Sequence, residues 1–176
     1  MFERFFPCKR IRSAYEIDYV ELFENGCRAL IFDIDNTLVC HGAPQSEKSL
    51  PFLKNLMSMG FKILFLSNNK EPRVKSFNDP LGAQYIYKAG KPGPKNYLKA
   101  CEMMGEDVSS TVFIGDQLFT DIWGANKAGI YSILVGKIGK KEEIQIVLKR
   151  ILEKIVLFVY DRKLKNGTLK EKEYGK

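Results

Sequence analysis

The chain has 176 residues, which suits one domain with short extensions, and its 45% apolar and 12% aromatic residues exclude wholesale disorder. No uninterrupted apolar run exceeds six residues and residues 1–12 carry five charged groups, so we expect neither a membrane-spanning helix nor a signal peptide. The formal net charge is +7, which favours an anionic partner.

Apolar runs typical of buried strands alternate along the chain with helical patterns. Strands are predicted at 29–34, 61–67, 84–87, 111–115 and 130–135, and helices near 46–59, 70–78, 94–104, 119–128 and 141–160. Ser46 is the expected N-terminal cap of the first of these helices, and Gly60 its stop. This alternation predicts an α/β fold: a Rossmann-like, doubly wound, mostly parallel five-stranded sheet with helices on both faces.

The charge is unevenly distributed, which suggests how the chain is organised. Residues 21–136 hold 12 basic and 12 acidic groups, whereas residues 137–176 hold 12 basic and only 6 acidic ones. We therefore predict a balanced core at 21–136, preceded by a basic, aromatic arm at 1–20. An amphipathic helix at 137–160 and a basic, flexible tail at 161–176 are expected to follow.

Acidic residues follow two of the predicted strands at the point where each strand ends. Asp33 and Asp35 end the first strand, Asp116 follows Gly115 at the end of the fourth, and Asp121 comes five residues later. Ligands of a doubly wound sheet bind beyond the carboxyl ends of its strands, where we expect these acids to meet. Three hard oxygen ligands from Asp33, Asp35 and Asp116 suit Mg²⁺. The alternatives are a turn-forming role for Asp35 and a helix-start role for Asp121.

Two further strand-end residues suit phosphate binding. Ser67 ends the second strand and leads into Asn68, so its hydroxyl and the following N–H groups suit phosphate oxygens. Lys91 lies between Gly90 and Pro92 on a stiff loop, which is a suitable way to direct an ammonium at a phosphate. Either feature alone is weak evidence, since most loop lysines are simply solvated.

Together, the motifs DxDNT, Ser67, Lys91 and GDxxxxD resemble the haloacid dehalogenase superfamily, in the family's order and over roughly residues 15–136. Within it, the segments FDIDNTLV, LSNN, GKPGP and GDQLFTDIWGAN resemble the capless IIIA phosphatases, and most of all their phosphatidylglycerophosphate phosphatase branch. The resemblance implies a Mg²⁺-dependent phosphomonoester hydrolase that forms an aspartyl-phosphate. Its implied substrate is phosphatidylglycerophosphate, which is hydrolysed to phosphatidylglycerol.

The resemblance also implies residue roles. Asp33 is the implied nucleophile, Asp35 the general acid and base, and Lys91 the group that neutralises the nucleophile and the phosphoryl group. The implied metal ligands are Asp116, the Asp33 carboxylate and the Asp35 main-chain carbonyl. Asp121 is implied to support either the metal shell or Lys91, and Gly115 to support the site. The implied substrate contacts are Asn36, Ser67, Asn68 and Lys91.

The spacing between motifs leaves no room for a cap domain, because 31 residues separate Asp35 from Ser67 and 23 separate Ser67 from Lys91. An open site suits a large substrate such as a lipid at a membrane surface. The apolar and basic flanks favour peripheral contact with an anionic membrane, at its inner, cytoplasmic face. The alternative is that the last helix, with Ile144, Val147, Leu148, Ile151, Leu152 and Ile155 on one face, packs on the sheet.

Other functions fit the residues less well. The same chemistry on a nucleotide, a sugar phosphate or a phosphoprotein is the first alternative. A phospho-accepting receiver uses similar groups, but its acceptor acid follows the third strand and its lysine comes last. A nucleic-acid binder lacks aromatic stacking motifs here, so we expect no nucleic-acid partner. The role of His41 and the oligomeric state stay open.

Overall fold

The computed structural model describes residues 2–139 and 144–175, and side-chain contacts are described outside residues 144–148. The strands are β1 (Lys9–Ile11), β2 (Ala29–Phe32), β3 (Lys62–Leu66), β4 (Gln84–Ile86), β5 (Thr111–Gly115) and β6 (Tyr131–Val135). The helices are α1 (Tyr19–Glu24), α2 (Ser49–Ser58), α3 (Glu71–Asn78), α4 (Lys95–Met104), α5 (Trp123–Ala128) and α6 (Ile144–Lys165). A π-helical turn, Leu118–Ile122, leads directly into α5.

The strands form one parallel sheet in the order β1-β6-β5-β2-β3-β4. β2 lies between β5 and β3 and is buried at every position, which explains its continuous apolar run. Because these strands are parallel, the carboxyl ends of β2, β3 and β5 lie side by side at one edge of the sheet. The doubly wound α/β prediction is therefore confirmed.

The predicted strand count of five is wrong, because β1 adds a sixth strand. β1 lies at the edge of the sheet and pairs only with β6, through Lys9↔Ile133 to Ile11↔Val135. A three-residue strand with two basic side chains does not have the apolar run of a buried strand, so its sequence pattern resembled a solvated arm.

Helices cover both faces of the sheet, as predicted. On one face, Leu53 of α2 and Phe77 of α3 join a core that includes Phe32 and Phe65. On the other face, Tyr97 of α4 and Ala125 of α5 pack with Ile31, Leu64 and Phe113. α2 begins at Ser49, three residues after the predicted start, and the Ser46 hydroxyl accepts the N–H of Ser49 at 2.9 Å.

The two chain ends pack against each other at the β1 edge. Val156 and Tyr160 of α6 share an apolar cluster with Phe5 and Phe6 of the predicted arm. α6 extends to Lys165, five residues past its predicted end, while its predicted start at 141 and the side chains of Ile144, Val147 and Leu148 lie outside the described residues.

The segment that we predicted as a flexible tail lies against the core in the structure. Tyr174 is buried and its hydroxyl donates to Ser109 O at 2.6 Å, and Lys172 N–H donates to Cys8 O at 2.9 Å. Tyr174 also packs edge-on against Tyr131, so aromatic contacts hold this basic segment. Over the described residues, no helix combines the length and the apolar character needed to cross a bilayer.

Candidate active site

The strand-end residues meet where the sequence predicts, at the carboxyl edge of the central strands. Asp33 follows β2 directly, and its N–H continues the ladder by donating to Ile114 O of β5 at 3.0 Å. Ser67 follows β3 and Asp116 follows β5, the two strands that flank β2. Asp33, Ser67 and Asp116 are all buried. The parallel register of three strands thus assembles polar groups that are 34 and 49 residues apart along the chain.

Lys91 bridges two of the acids. Its Nζ donates to Asp33 Oδ1 at 2.6 Å and to Asp121 Oδ1 at 2.7 Å, and its side chain is 3% exposed. Burial raises the pKa of Asp33 to about 7, while Lys91 opposes the rise and Asp121 adds to it. Burial alone would lower the pKa of Lys91, but Asp121 and Asp33 raise it, so the ammonium stays charged.

Three buried carboxylates form a cluster that fits a divalent cation. Oxygen atoms of Asp33, Asp116 and Asp121 lie within 4.8 Å of one another. Burial, with the charges of Asp121 and Asp33, raises the pKa of Asp116 well above its ordinary value. When all three acids are ionised, the neighbouring cations Lys91 and Arg150 leave one negative charge unbalanced. An oxygen-only donor set suits Mg²⁺ or a similar hard cation.

The carboxylate of Asp35 lies outside this cluster and has its own partners. Asp35 Oδ1 accepts from Arg73 Nη2 at 2.9 Å and from Gly42 N–H at 2.7 Å, and Oδ2 accepts from Asn69 Nδ2 at 2.7 Å. Regular strand β2 ends at Phe32, before both acids, and the Asp35 carboxylate does not join those of Asp33 and Asp116 in the cluster. The predicted metal contact through the main-chain carbonyl of Asp35 stays a prediction.

Asp121 is positioned by its own loop as well as by Lys91. Its Oδ2 accepts the N–H groups of Asp116 at 3.1 Å and Gln117 at 3.0 Å. A Cβ at Gly115 would lie 2.6 Å from Asp121 Oδ2, so only glycine leaves room for this carboxylate. Asp121 therefore lies in the carboxylate cluster itself, whereas the resemblance implied only a supporting role for it.

The residues expected to contact substrate differ in their surroundings. The Ser67 hydroxyl accepts Asn69 N–H at 3.1 Å beside the site. The Asn68 amide clamps the Lys91 backbone, accepting from Lys91 N at 2.8 Å and donating to its carbonyl at 3.2 Å. Asn36 adopts a φ of +64°, and its buried Oδ1 has no hydrogen-bond partner within the described chain. His41 is exposed.

An arginine of α6, missed by the sequence analysis, completes the site. Arg150 Nη1 donates to Asp116 O at 2.6 Å and to Glu153 at 2.9 Å, and Nη2 donates to the Asp116 carboxylate. Glu153 in turn accepts Leu118 N–H at 2.7 Å. α6 is thereby attached to the segment that carries Asp116. Arg73 and Asn69, the partners of Asp35, were also missed.

The two stretches of chain between the motifs hold no inserted cap domain. The chain between Asp35 and Ser67 holds α2 and β3, and that between Ser67 and Lys91 holds α3 and β4; both stretches are fully described. The site is therefore covered by no inserted domain.

Comparison with known proteins identifies the family. Residues 44–129 match the haloacid dehalogenase-like hydrolase model. The chain is 34% identical over 165 residues to a probable phosphatase, YqeG, of Bacillus subtilis, covering 93% of this chain and 96% of that protein. It is 25% identical over 174 residues to phosphatidylglycerophosphate phosphatase 1 of Arabidopsis thaliana, covering 92% of this chain and 49% of that one.

A solved structure shows the same fold. The cobalt-bound deoxy-D-mannose-octulosonate 8-phosphate phosphatase of Haemophilus influenzae superposes with a TM-score of 0.53 at 15% identity, over 65% of this chain and 70% of that one. The order of the motifs, the sheet that assembles them and the full-length relative agree: this chain belongs to the haloacid dehalogenase-like hydrolases and is an enzyme of that family.

Proposed function

We propose that the chain is a divalent-metal-dependent phosphomonoester hydrolase that acts through an aspartyl-phosphate on Asp33. The observation that carries this proposal is the buried Lys91 bridge, which holds Asp33 and Asp121 beside Asp116. A carboxylate can attack an anionic phosphoryl group only where cations offset the repulsion. Lys91 supplies one such charge at hydrogen-bond distance.

The proposed reaction has two steps. A carboxylate oxygen of Asp33 attacks phosphorus, the bond from phosphorus to the leaving oxygen breaks, and Asp35 donates a proton to that oxygen. Water then attacks the aspartyl-phosphate, its proton passes to Asp35, and the bond between phosphorus and Asp33 breaks to release phosphate. Arg73 and Asn69 hold the Asp35 carboxylate while the proton is exchanged.

The proposed cofactor is Mg²⁺, held by Asp33, Asp116 and either Asp121 or the Asp35 carbonyl. When bound, it would neutralise charge on the phosphoryl oxygens. The Ser67 hydroxyl and the N–H groups after it are proposed to hold the same oxygens.

The proposed substrate is phosphatidylglycerophosphate at the inner face of the membrane. The uncapped site supports a large substrate, and the Arabidopsis relative carries that activity in its name. The outer face of α6 exposes Ile151, Ile155 and Phe158 by 52–67%, beside basic residues, which suits an anionic bilayer.

The test is phosphate release from phosphatidylglycerophosphate in detergent micelles, with and without Mg²⁺. We expect turnover by the wild type with Mg²⁺, a loss of roughly 10³-fold or more in Asp33→Asn, and no loss in Asp79→Asn, an exposed surface acid. Efficient turnover of nucleotides, sugar phosphates or phosphopeptides, with the lipid inert, would keep the chemistry and reject the lipid. A phospho-aspartate that persists without turnover would instead favour a receiver.

A further inference from the structure

A pocket outside the candidate active site opens beside the three-carboxylate cluster. It has a volume of about 490 Å³ and lies between α6 and the carboxyl ends of β5 and β6. Asp116 lines one end of this pocket and also belongs to the carboxylate cluster. The pocket and the site of the proposed attack at Asp33 are therefore adjacent in the fold, with Asp116 and its partner Arg150 between them. Nothing in the proposed hydrolysis uses this space.

The lining of the pocket is partly apolar and partly charged, with more basic than acidic residues. Leu118, Leu134, Val135 and Leu157 form its apolar wall. Its charged lining consists of four basic residues, Arg10, Lys137, Arg150 and Lys154, and two acidic ones, Asp116 and Glu153. The pocket thus joins an apolar surface to a net positive charge.

The two acids of the lining already have cationic or N–H partners. Asp116 is bound by Arg150, and Glu153 is bound by Arg150 and by Leu118 N–H. Lys154 is exposed and forms no ion pair with any described acid. Its ammonium at the edge of the pocket can accept an anionic group of a ligand without first losing a partner.

We propose that this pocket binds the part of a glycerophospholipid next to its terminal phosphate: the phosphodiester beside Lys154, and the start of an acyl chain along the apolar wall. The proposal rests on the proposed lipid phosphatase function and adds the subsite that selects such a substrate. Charge complementarity supports this proposal: besides its terminal phosphate, such a lipid carries an anionic phosphodiester, which can pair with the Lys154 ammonium. Ile151 lines the pocket and also faces outward with 55% exposure, so the pocket continues into the apolar face of α6.

The test uses a soluble probe that has the diester and two short chains but no terminal phosphate, dihexanoyl phosphatidylglycerol. Its binding is measured by isothermal titration to the full chain with Mg²⁺ present, so no turnover is needed. We expect Lys154→Glu to weaken binding about tenfold or more, because it replaces attraction by repulsion. Lys149→Glu is the matched control: it is an exposed lysine of α6 outside the pocket, and we expect less than a twofold change.

Thermal unfolding of both variants checks that each is folded. Absent binding to the wild type, unchanged binding to Lys154→Glu, or equal weakening in both variants would overturn the pocket, the last because it shows an effect of bulk charge. The lipid assay of the proposed function is read separately. Selective binding through Lys154 without hydrolysis of the lipid phosphate would reject the proposed substrate and keep the pocket. Hydrolysis without selective binding would keep the substrate and reject the pocket.

Discussion

Arg150 of the last helix donates to both the main-chain carbonyl and the carboxylate of Asp116, an acid of the candidate metal cluster. The guanidinium comes from a residue 34 positions away along the chain. It partly neutralises a carboxylate that is fully buried, and it lowers a pKa that burial and the neighbouring acids raise. Arg150 and a divalent cation would therefore share one ligand.

We expect Arg150→Gln to strengthen Mg²⁺ binding several-fold, because the guanidinium no longer competes for Asp116. The same change should destabilise the metal-free protein by about 3 kcal/mol, since it leaves a buried carboxylate without its cation. Calorimetric Mg²⁺ titration and urea unfolding without metal measure the two effects. Arg162→Gln, at an exposed position of the same helix, is the control. Weaker Mg²⁺ binding in Arg150→Gln would show instead that Arg150 organises the metal ligands.

The stability of the metal-free protein should fall as the pH rises from about 4 to about 7. The Asp33 pKa is about 7 in the fold and near its ordinary value when unfolded, so the folded state holds a proton that the unfolded state releases over this range. The raised pKa of Asp116 acts in the same direction. The Asp33 share is at most about 4 kcal/mol, at 1.36 kcal/mol per pKa unit.

Urea unfolding across this pH range with a chelator present measures the fall. Asp33→Asn cannot titrate at this position, so the fall should be smaller in that variant. Mg²⁺ requires deprotonated ligands and should restore stability near neutral pH. A wild-type stability that is flat between pH 4 and 7, or that rises, contradicts this account of the buried carboxylates.

Arg73 is a positioning residue for Asp35. Its Nη2 lies 2.9 Å from Asp35 Oδ1, and both side chains are at most 19% exposed. Because proton transfer depends on orientation, we expect Arg73→Gln to lower kcat about tenfold, and Asp35→Asn to lower it about 10²–10⁴-fold. Arg73→Lys should recover part of the loss, and Lys75→Gln, in an exposed ion pair on the same helix, should change nothing. Steady-state kinetics on a soluble phosphomonoester separate these variants; a change in KM alone would assign Arg73 to substrate binding.

Gly115→Ala should displace Asp121. The added Cβ would lie 2.6 Å from the carboxylate, and the cost of such overpacking is about 1–3 kcal/mol of stability. Moving this ligand should weaken Mg²⁺ binding about tenfold or more. Mg²⁺ titration and thermal unfolding test both effects, and Asp121→Asn provides the comparison that removes the charge without overpacking. Unchanged Mg²⁺ binding in both variants would exclude Asp121 from the metal site.

The central strands and the family were predictable from the sequence because their signals are local. A strand buried on both faces is apolar throughout, as in β2, and an acid at its end is conspicuous. The haloacid dehalogenase resemblance, carried by motifs after four successive strands, is confirmed. β1 was missed because an edge strand of three residues needs no apolar run.

The partners of the acids could not be predicted in the same way. Arg73 lies 38 residues from Asp35, and Arg150 lies 34 residues from Asp116. Neither arginine belongs to a motif, and each lies on a helix whose pattern shows only which face packs. Only the assembled fold brings these charges to the carboxylates. The resemblance offered support of the metal shell or of Lys91 as the role of Asp121, and the fold shows that its carboxylate both pairs with Lys91 and lies in the carboxylate cluster.

The returning C-terminal segment also determines what β1 can do as the outermost strand. Glu171 accepts Arg10 N–H at 3.0 Å, and Lys172 N–H donates to Cys8 O at 2.9 Å. Those backbone groups would otherwise point outward and offer a template for strand addition by another molecule. Two residues of the segment that we predicted as a tail thus occupy hydrogen-bonding groups of the β1 edge, which protects this side of the molecule against edge-to-edge aggregation.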